Sequence, residues 1–160
     1  MRAGIGYDVH GFDPTCPLVL GGVTIEGAPG LAGWSDADVV SHAVIDAALG
    51  AAALGDLGEH FPEDAVPEGA SSLEMLTRTG EMVREAGFEF SSVDVTVMIQ
   101  DVRVGPYRKL MAERVAEALQ IAADLVSIKA TTTDRLGFIG RGEGAGCTAV
   151  VLVENSVDLR

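Results

Sequence analysis

The chain has 160 residues, 48% of them hydrophobic and 20 of them glycine, which suits a single globular domain over residues 1–160 and excludes a disordered chain. Its formal net charge is −13, from 24 acidic residues against 11 basic ones, which argues against nucleic acid or an anionic membrane as a partner. The acidity also fits a salt-adapted source, and it means that an anionic substrate would need local cations such as a bound metal.

Met1 to Gly6 runs straight into strand-like sequence, without the charged and apolar regions of a signal peptide, and no apolar run is long enough to span a bilayer. The cytoplasm is therefore the expected compartment. Cys16 and Cys147 have no metal-like spacing and read as reduced thiols rather than a disulfide.

Arg2 to His10 predicts a first strand. Asp8 and His10 stand two apart in it, so both side chains leave the same face. A carboxylate beside an imidazole suits a zinc-type divalent cation, which takes N and O ligands tetrahedrally. His42 is the candidate third ligand, and three protein ligands with one open corner make a catalytic arrangement. Asp-x-His is by itself a weak pattern, and a packed or surface histidine is the plain alternative for His42.

Pro17 to Ile25 predicts two short strands around Gly21-Gly22, followed by a glycine-rich loop over residues 27–33. Ser35 or Asp36 is placed to cap a helix running to about Leu54, with Val39, Val40, Ala43, Val44, Ala47, Ala48 and Ala51 on its apolar side. Asp38, His42 and Asp46 share a face of it. The two carboxylates there either orient the histidine or form a solvated stripe. Leu54 to Gly69 reads as an irregular, functional loop, with His60 solvated on it. Ser71 and Glu74 form a capping box for a second helix ending near Gly87.

Val93 to Gln100 alternates as a half-buried strand. Pro106 opens a third helix held to the core by Leu110, Val115, Ala118 and Leu119. Val126 to Thr133 and Cys147 to Glu154 are the last strands, and the final few residues read as frayed. The five glycines after Asp134 precede a strand rather than a helix, so they mark a chain reversal, not a dinucleotide fingerprint. The element order predicts an α+β sandwich: a small mixed β-sheet with helices on one face. Thr131, Thr132 and Thr133 with Asp134 could serve a phosphate and a harder cation, or could simply be strand-forming residues at a strand end.

Several segments then occur together and in order: Gly6-Tyr7-Asp8-Val9-His10, Leu20-Gly21-Gly22-Val23, Ser35-Asp36-Ala37-Asp38 with His42, Leu54-Gly55-Asp56-Leu57-Gly58, Phe61-Pro62, Lys129-Ala130-Thr131-Thr132-Thr133-Asp134, and Gly140-Arg141-Gly142-Glu143-Gly144. Jointly, over essentially the whole chain, they resemble the 2-C-methyl-D-erythritol 2,4-cyclodiphosphate synthase family of the non-mevalonate isoprenoid pathway. The resemblance implies a ferredoxin-like α+β subunit in a homotrimer with active sites at subunit interfaces. It implies conversion of 4-diphosphocytidyl-2-C-methyl-D-erythritol 2-phosphate to the cyclic diphosphate and CMP.

On that pattern Asp8, His10 and His42 hold Zn²⁺ or another divalent transition metal, and Asp134 helps hold Mg²⁺ or Mn²⁺ where the family usually has glutamate. Thr132 stabilises the transition state. Ser35, Asp56, Leu57, Gly58, Phe61, Thr131 and Thr133 contact substrate. Gln100 and Arg103, in the Ile99 to Gly105 stretch, serve the cytidine from the neighbouring subunit. Phe138 and Arg141 lie at the trimer axis, where some members hold an isoprenoid diphosphate. Trp34 stands at a catalytic position usually held by histidine, and Glu63-Asp64-Ala65 alters the stretch after Phe61-Pro62. Two other readings remain beside this one: a non-catalytic trimeric binder of isoprenoid diphosphates, and a different metal phosphohydrolase.

Overall fold

The computed structural model describes residues 1–156, so the expected fraying of the last residues lies outside what it covers. The first strand is longer than predicted, β1 (Arg2–Asp13). The hairpin around Gly21-Gly22 forms as β2 (Leu18–Leu20) and β3 (Val23–Ile25), and a short β4 (Gly30–Leu31) follows. Next come α1 (Val39–Ala52), a single-turn α2 (Leu57–His60) and α3 (Ser72–Glu85). The remaining elements are β5 (Phe88–Met98), α4 (Arg108–Leu119), β6 (Val126–Thr131), the short α5 (Gly137–Gly140) and β7 (Gly144–Asn155).

The main sheet is mixed, in the order β4-β1-β7-β5-β6, with only the β5–β6 pair parallel. Helices α1, α3 and α4 build a layer over one face, which makes the α+β architecture expected from the element order. On that face β5 presents Val93, Val95 and Val97, and β7 presents Cys147, Ala149 and Val151, all buried. The opposite face is open, and Ile5, Tyr7 and Val150 lie on it 72%, 58% and 38% exposed. Cys16 and Cys147 are both free, the latter buried, and burial pushes its thiol pKa up.

Helix α1 lies against β1 more closely than ordinary side chains allow. A Cβ added to Gly6 would stand 1.9 Å from the carbonyl oxygen of Ala43, and one on Gly4 would stand 1.9 Å from that of Ala47. Glycine on the strand and alanine on the helix are therefore what let the backbones meet. Residue 42, next to Ala43, is thereby brought beside residue 8, two along the strand from Gly6.

The start of α1 differs from expectation. Its cap is Asp38, not Ser35 or Asp36. The reason is tertiary. Asp38 accepts hydrogen bonds from the N–H groups of Val40 and Ser41 at 3.0 and 3.2 Å and from the Ser41 hydroxyl at 2.7 Å. It also accepts from the N–H groups of Gly21 and Gly22, each at 2.8 Å, and so ties the β2–β3 turn to the helix. Burial raises its pKa, and the donors from the Ser41 hydroxyl, Gly21 and Gly22 oppose that shift. Asp38→Ala strands the donors away from water. It should lower unfolding stability by about 3 kcal/mol in chemical denaturation, with Asp38→Asn losing less. Loss of under about 1 kcal/mol would contradict this role.

Other expectations shift for local reasons. A 3₁₀ turn at Gly105–Tyr107 takes up Pro106 before α4 begins, so Met111, Val115 and Ala118 face inward while Leu110 is exposed. Strand β6 ends at Thr131, short of the expected Thr133, and the turn beyond it holds Asp134 and Arg135 at left-handed backbone angles (φ 51° and 66°). His60 is half-buried, not solvated, with Nε2 2.6 Å from the carbonyl oxygen of Leu54.

Candidate metal centre and substrate cleft

The strand and helix bring Asp8, His10 and His42 together. Asp8 Oδ2 lies 3.1 Å from His10 Nε2 and 3.0 Å from His42 Nδ1, and those two nitrogens lie 3.3 Å apart. Metal bonds of about 2.0–2.2 Å in a tetrahedron put neighbouring ligand atoms about 3.3–3.5 Å apart. The triangle matches one face of such a site to within a few tenths of an ångström, and its donor set, two nitrogens and a carboxylate oxygen, suits a zinc-type cation. His10 Nδ1 donates to the carbonyl oxygen of Ala32 at 2.5 Å, which leaves Nε2 as the ring atom turned to the centre.

Burial would raise Asp8, but hydrogen bonds from His10 and His42 outweigh it and hold the carboxyl well below its usual range. The hydrogen bond that His10 donates to Asp8 in turn raises His10 above its usual 6.5, against the opposing effect of burial. A cation at the centre must displace the proton that Asp8 favours on His10, so metal affinity should fall as pH drops through that raised value. Metal titrations at about pH 8 and about pH 6 check this, with weaker binding expected at the lower pH. Equal affinity at both would contradict it.

A cleft of about 400 Å³ opens beside the triangle, lined by Trp34, Ser35, Asp46, Asp56, Leu57, Gly58, Phe61, Glu63, Val66 and Met75. Asp46 does not orient His42. It accepts the Leu57 N–H at 2.8 Å and so anchors the start of α2. Asp56 caps α2 through Oδ1, which takes the Glu59 N–H at 3.0 Å. Trp34 turns its single N–H onto the carbonyl oxygen of Val66 at 2.7 Å, and its own carbonyl accepts from the Gly69 N–H at 2.7 Å. The indole thus straps the 61–69 loop with its one donor while Trp34 lines the cleft.

The remaining candidates lie elsewhere on the chain. Thr131 and Thr133 donate their hydroxyls to the carbonyl oxygens of Thr132 and Leu136, while Thr132 Oγ1 faces Asp134 at 3.5 Å. Gln100 accepts the Arg135 N–H, and Arg103 lines a second cleft with Phe12, Pro29 and Tyr107. Phe138 is exposed, and Arg141 pairs with Glu143 at 2.7 Å. Residues missed in the sequence reading are Ser72 and Asp36, which sit behind His42. Ser72 Oγ lies 2.8 Å from His42 Nε2, and Asp36 holds both the hydroxyl and the N–H of Ser72.

The YgbB family profile matches residues 1–154. The chain belongs to the YgbB family. Among relatives, a protein of Syntrophobacter fumaroxidans named 2-C-methyl-D-erythritol 2,4-cyclodiphosphate synthase is 51% identical over 156 residues, covering 97% of this chain and 98% of that one. Among solved structures, the Plasmodium falciparum IspF in complex with CDP aligns with a TM-score of 0.84 at 29% identity, covering 96% of each chain. The bifunctional IspDF of Campylobacter jejuni aligns with a TM-score of 0.93 at 41% identity over 96% of this chain, which spans only 42% of that longer protein. No helix among the described residues of this YgbB-family chain is long and apolar enough to cross a membrane.

Proposed function

We propose that the chain is a cyclodiphosphate synthase, a single metal-dependent lyase domain. It converts 4-diphosphocytidyl-2-C-methyl-D-erythritol 2-phosphate to 2-C-methyl-D-erythritol 2,4-cyclodiphosphate and CMP in the cytoplasm. The observation that carries this reading is the triangle of Asp8 Oδ2, His10 Nε2 and His42 Nδ1 beside a cleft, in a chain 51% identical to a protein named for that activity.

Asp8, His10 and His42 would hold Zn²⁺, and Asp134 would help hold Mg²⁺ or Mn²⁺. When bound, such cations neutralise phosphate charge and polarise the reacting phosphorus. An oxygen of the 2-phosphate forms a bond to the β-phosphorus, and the bond from that phosphorus to the bridging oxygen breaks. The bridging oxygen leaves with the electron pair as part of CMP. The protein positions the two ends. Asp56 keeps Oδ2 for the erythritol hydroxyls while Oδ1 caps α2, and Leu57, Gly58 and Phe61 close the cleft around the sugar chain. Ser35 stands beside His42 at the cleft wall. Thr132, next to Asp134, offers its hydroxyl to the phosphates, with Thr131 and Thr133 flanking it.

We infer that one chain does not supply all of this. Asp8 pairs across the sheet with Cys147, Cys147 with Val97, and Val97 with Ala130, so β6 lies three strand spacings from β1. At about 4.8 Å each, that is about 14 Å, too far for the Thr132–Asp134 loop to share a diphosphate with the same chain's triangle. A homotrimer with sites at its interfaces solves the problem, since a neighbour's β6 loop can face the cleft. The exposed Ile5, Tyr7 and Val150 give an apolar sheet face that such an assembly would cover. In this reading Gln100 and Arg103 come with that loop to the cytidine, and Phe138 and Arg141 line the trimer axis, where an isoprenoid diphosphate would bind.

Incubation with the diphosphocytidyl substrate, Zn²⁺ and Mg²⁺ tests the reading. Release of CMP with formation of the cyclic diphosphate is expected. Absence of CMP, or release of inorganic phosphate instead, would overturn it.

A further inference from the structure

His42 is a ligand candidate through Nδ1, and what lies on its other nitrogen decides whether Nδ1 is free to bind. Ser72, at the start of α3, is fully buried, and its Oγ stands 2.8 Å from His42 Nε2. The same hydroxyl makes a very short contact with Oδ1 of Asp36, while the Ser72 N–H reaches Asp36 Oδ2 at 3.1 Å. A serine hydroxyl carries one hydrogen, and a carboxylate only accepts. The hydrogen therefore points to Asp36, and Ser72 Oγ has only lone pairs to offer the ring. For this contact to be a hydrogen bond, Nε2 of His42 carries the N–H and donates it to Ser72. Nδ1, 3.3 Å from His10 Nε2, is then the atom left for a cation, and without a cation the Asp8 carboxylate 3.0 Å away competes for the same proton.

Ser35 Oγ, 3.2 Å from Nε2 and 3.3 Å from Ser72 Oγ, sits on the same side and itself takes the Ala37 N–H. It can complement the arrangement but has no carboxylate behind it. The contrast with His10 is direct. That ring is fixed by a backbone carbonyl on Nδ1 and turns Nε2 inward, so the two imidazoles need opposite tautomers to share one cation.

We propose that Asp36 and Ser72 are positioning residues for His42: a carboxylate–hydroxyl relay, reaching the ring from α3 and from the loop before α1, that locks the Nε2–H tautomer and presents Nδ1 to the metal. A partner of this kind on the far nitrogen of a metal-bound histidine fixes ring orientation and raises ligand basicity. The inference deepens the reading of Asp8, His10 and His42 as ligands and rests on it.

The test is long-range ¹H–¹⁵N correlation of the His42 ring in metal-free Asp8→Ala protein, where no carboxylate faces Nδ1, at about pH 8.5, where imidazoles are ordinarily neutral. A single tautomer with the proton on Nε2 is expected there, and a proton on Nδ1 overturns the proposal. Adding Ser72→Ala in that background should mix the tautomers, and Ser72→Ala alone should weaken zinc binding by roughly 10–100-fold. Asp36→Asn, which leaves the serine oxygen in place, should lose less. Wild-type zinc affinity in Ser72→Ala and an unmixed tautomer in the double variant would overturn the proposal. Failure of the unmodified protein to bind zinc would instead sink the metal reading, which the tautomer measurement does not depend on.

Discussion

Replacing His42 with alanine should abolish stoichiometric zinc binding and lower turnover by about 10³-fold or more, while the subunit keeps its fold. A metal supplies several kcal/mol of charge stabilisation to a phosphoryl transition state, and each 1.36 kcal/mol is a factor of ten in rate. The triangle of donors 3.0–3.3 Å apart cannot hold a tetrahedral ion with an open corner once one vertex is gone. The fold survives because α1 is held by other means: Val40, Val44, Ile45 and Leu49 are fully buried, and Asp38 caps the helix. Elemental analysis, circular dichroism and a CMP-release assay on the same preparation check all three parts. Full zinc occupancy in the variant would refute the assignment of His42.

Gly6→Ala has the second large effect, and it acts at a distance. The added methyl would sit 1.9 Å from the Ala43 carbonyl oxygen, a backbone atom that cannot rotate aside. Helix α1 must shift off β1, or the strand must bend. Either way stability should fall by about 2–3 kcal/mol or more, as for overpacking elsewhere. Because His42 precedes Ala43 on that helix, the shift also opens the triangle, and zinc affinity should drop at least tenfold. Gly50→Ala is the control on the same helix. Nothing lies within 4 Å of its added Cβ, so it should leave zinc binding intact and stabilise by about 0.5–1 kcal/mol. If Gly6→Ala bound zinc like the unmodified protein, close approach of the two backbones would not be what sets the site.

The parts of the site legible in the sequence are those governed by local periodicity. Asp8 and His10 share a strand face because side chains alternate, and the Gly21-Gly22 hairpin and the apolar side of α1 follow from short-range rules. The rest depends on contacts between residues far apart in the chain. The cap of α1 moved to Asp38 because Gly21 and Gly22, 17 and 16 positions away, offered it donors that Ser35 and Asp36 did not receive. One of the two readings of the Asp38 and Asp46 face has those carboxylates orient His42, the other being a solvated stripe. Orientation comes instead from Ser72, 30 positions along the chain, while Asp46 serves α2.

A signal for the helix–strand contact was present but unused. Gly4 and Gly6 alternate on one strand face, and Ala43, Ala47 and Ala51 follow at helical spacing, which is the pattern of two backbones packed together. Trp34 shows the opposite limit: its place in the motif points to the cleft, yet its one donor is taken by Val66. No periodicity reports where an indole N–H goes. The Thr132–Asp134 loop was legible as a loop with hydroxyls and a carboxylate, but its remoteness from Asp8 emerges only from the strand order β1-β7-β5-β6.

Anomalous diffraction at the zinc edge, from crystals grown with zinc, tests the central claim most directly. One peak per subunit is predicted, bonded to Asp8 Oδ2, His10 Nε2 and His42 Nδ1 at about 2.0–2.2 Å, with a water or phosphate oxygen as the fourth ligand. A peak bound by other residues, a fourth ligand from the protein, or no peak at the triangle would contradict the account.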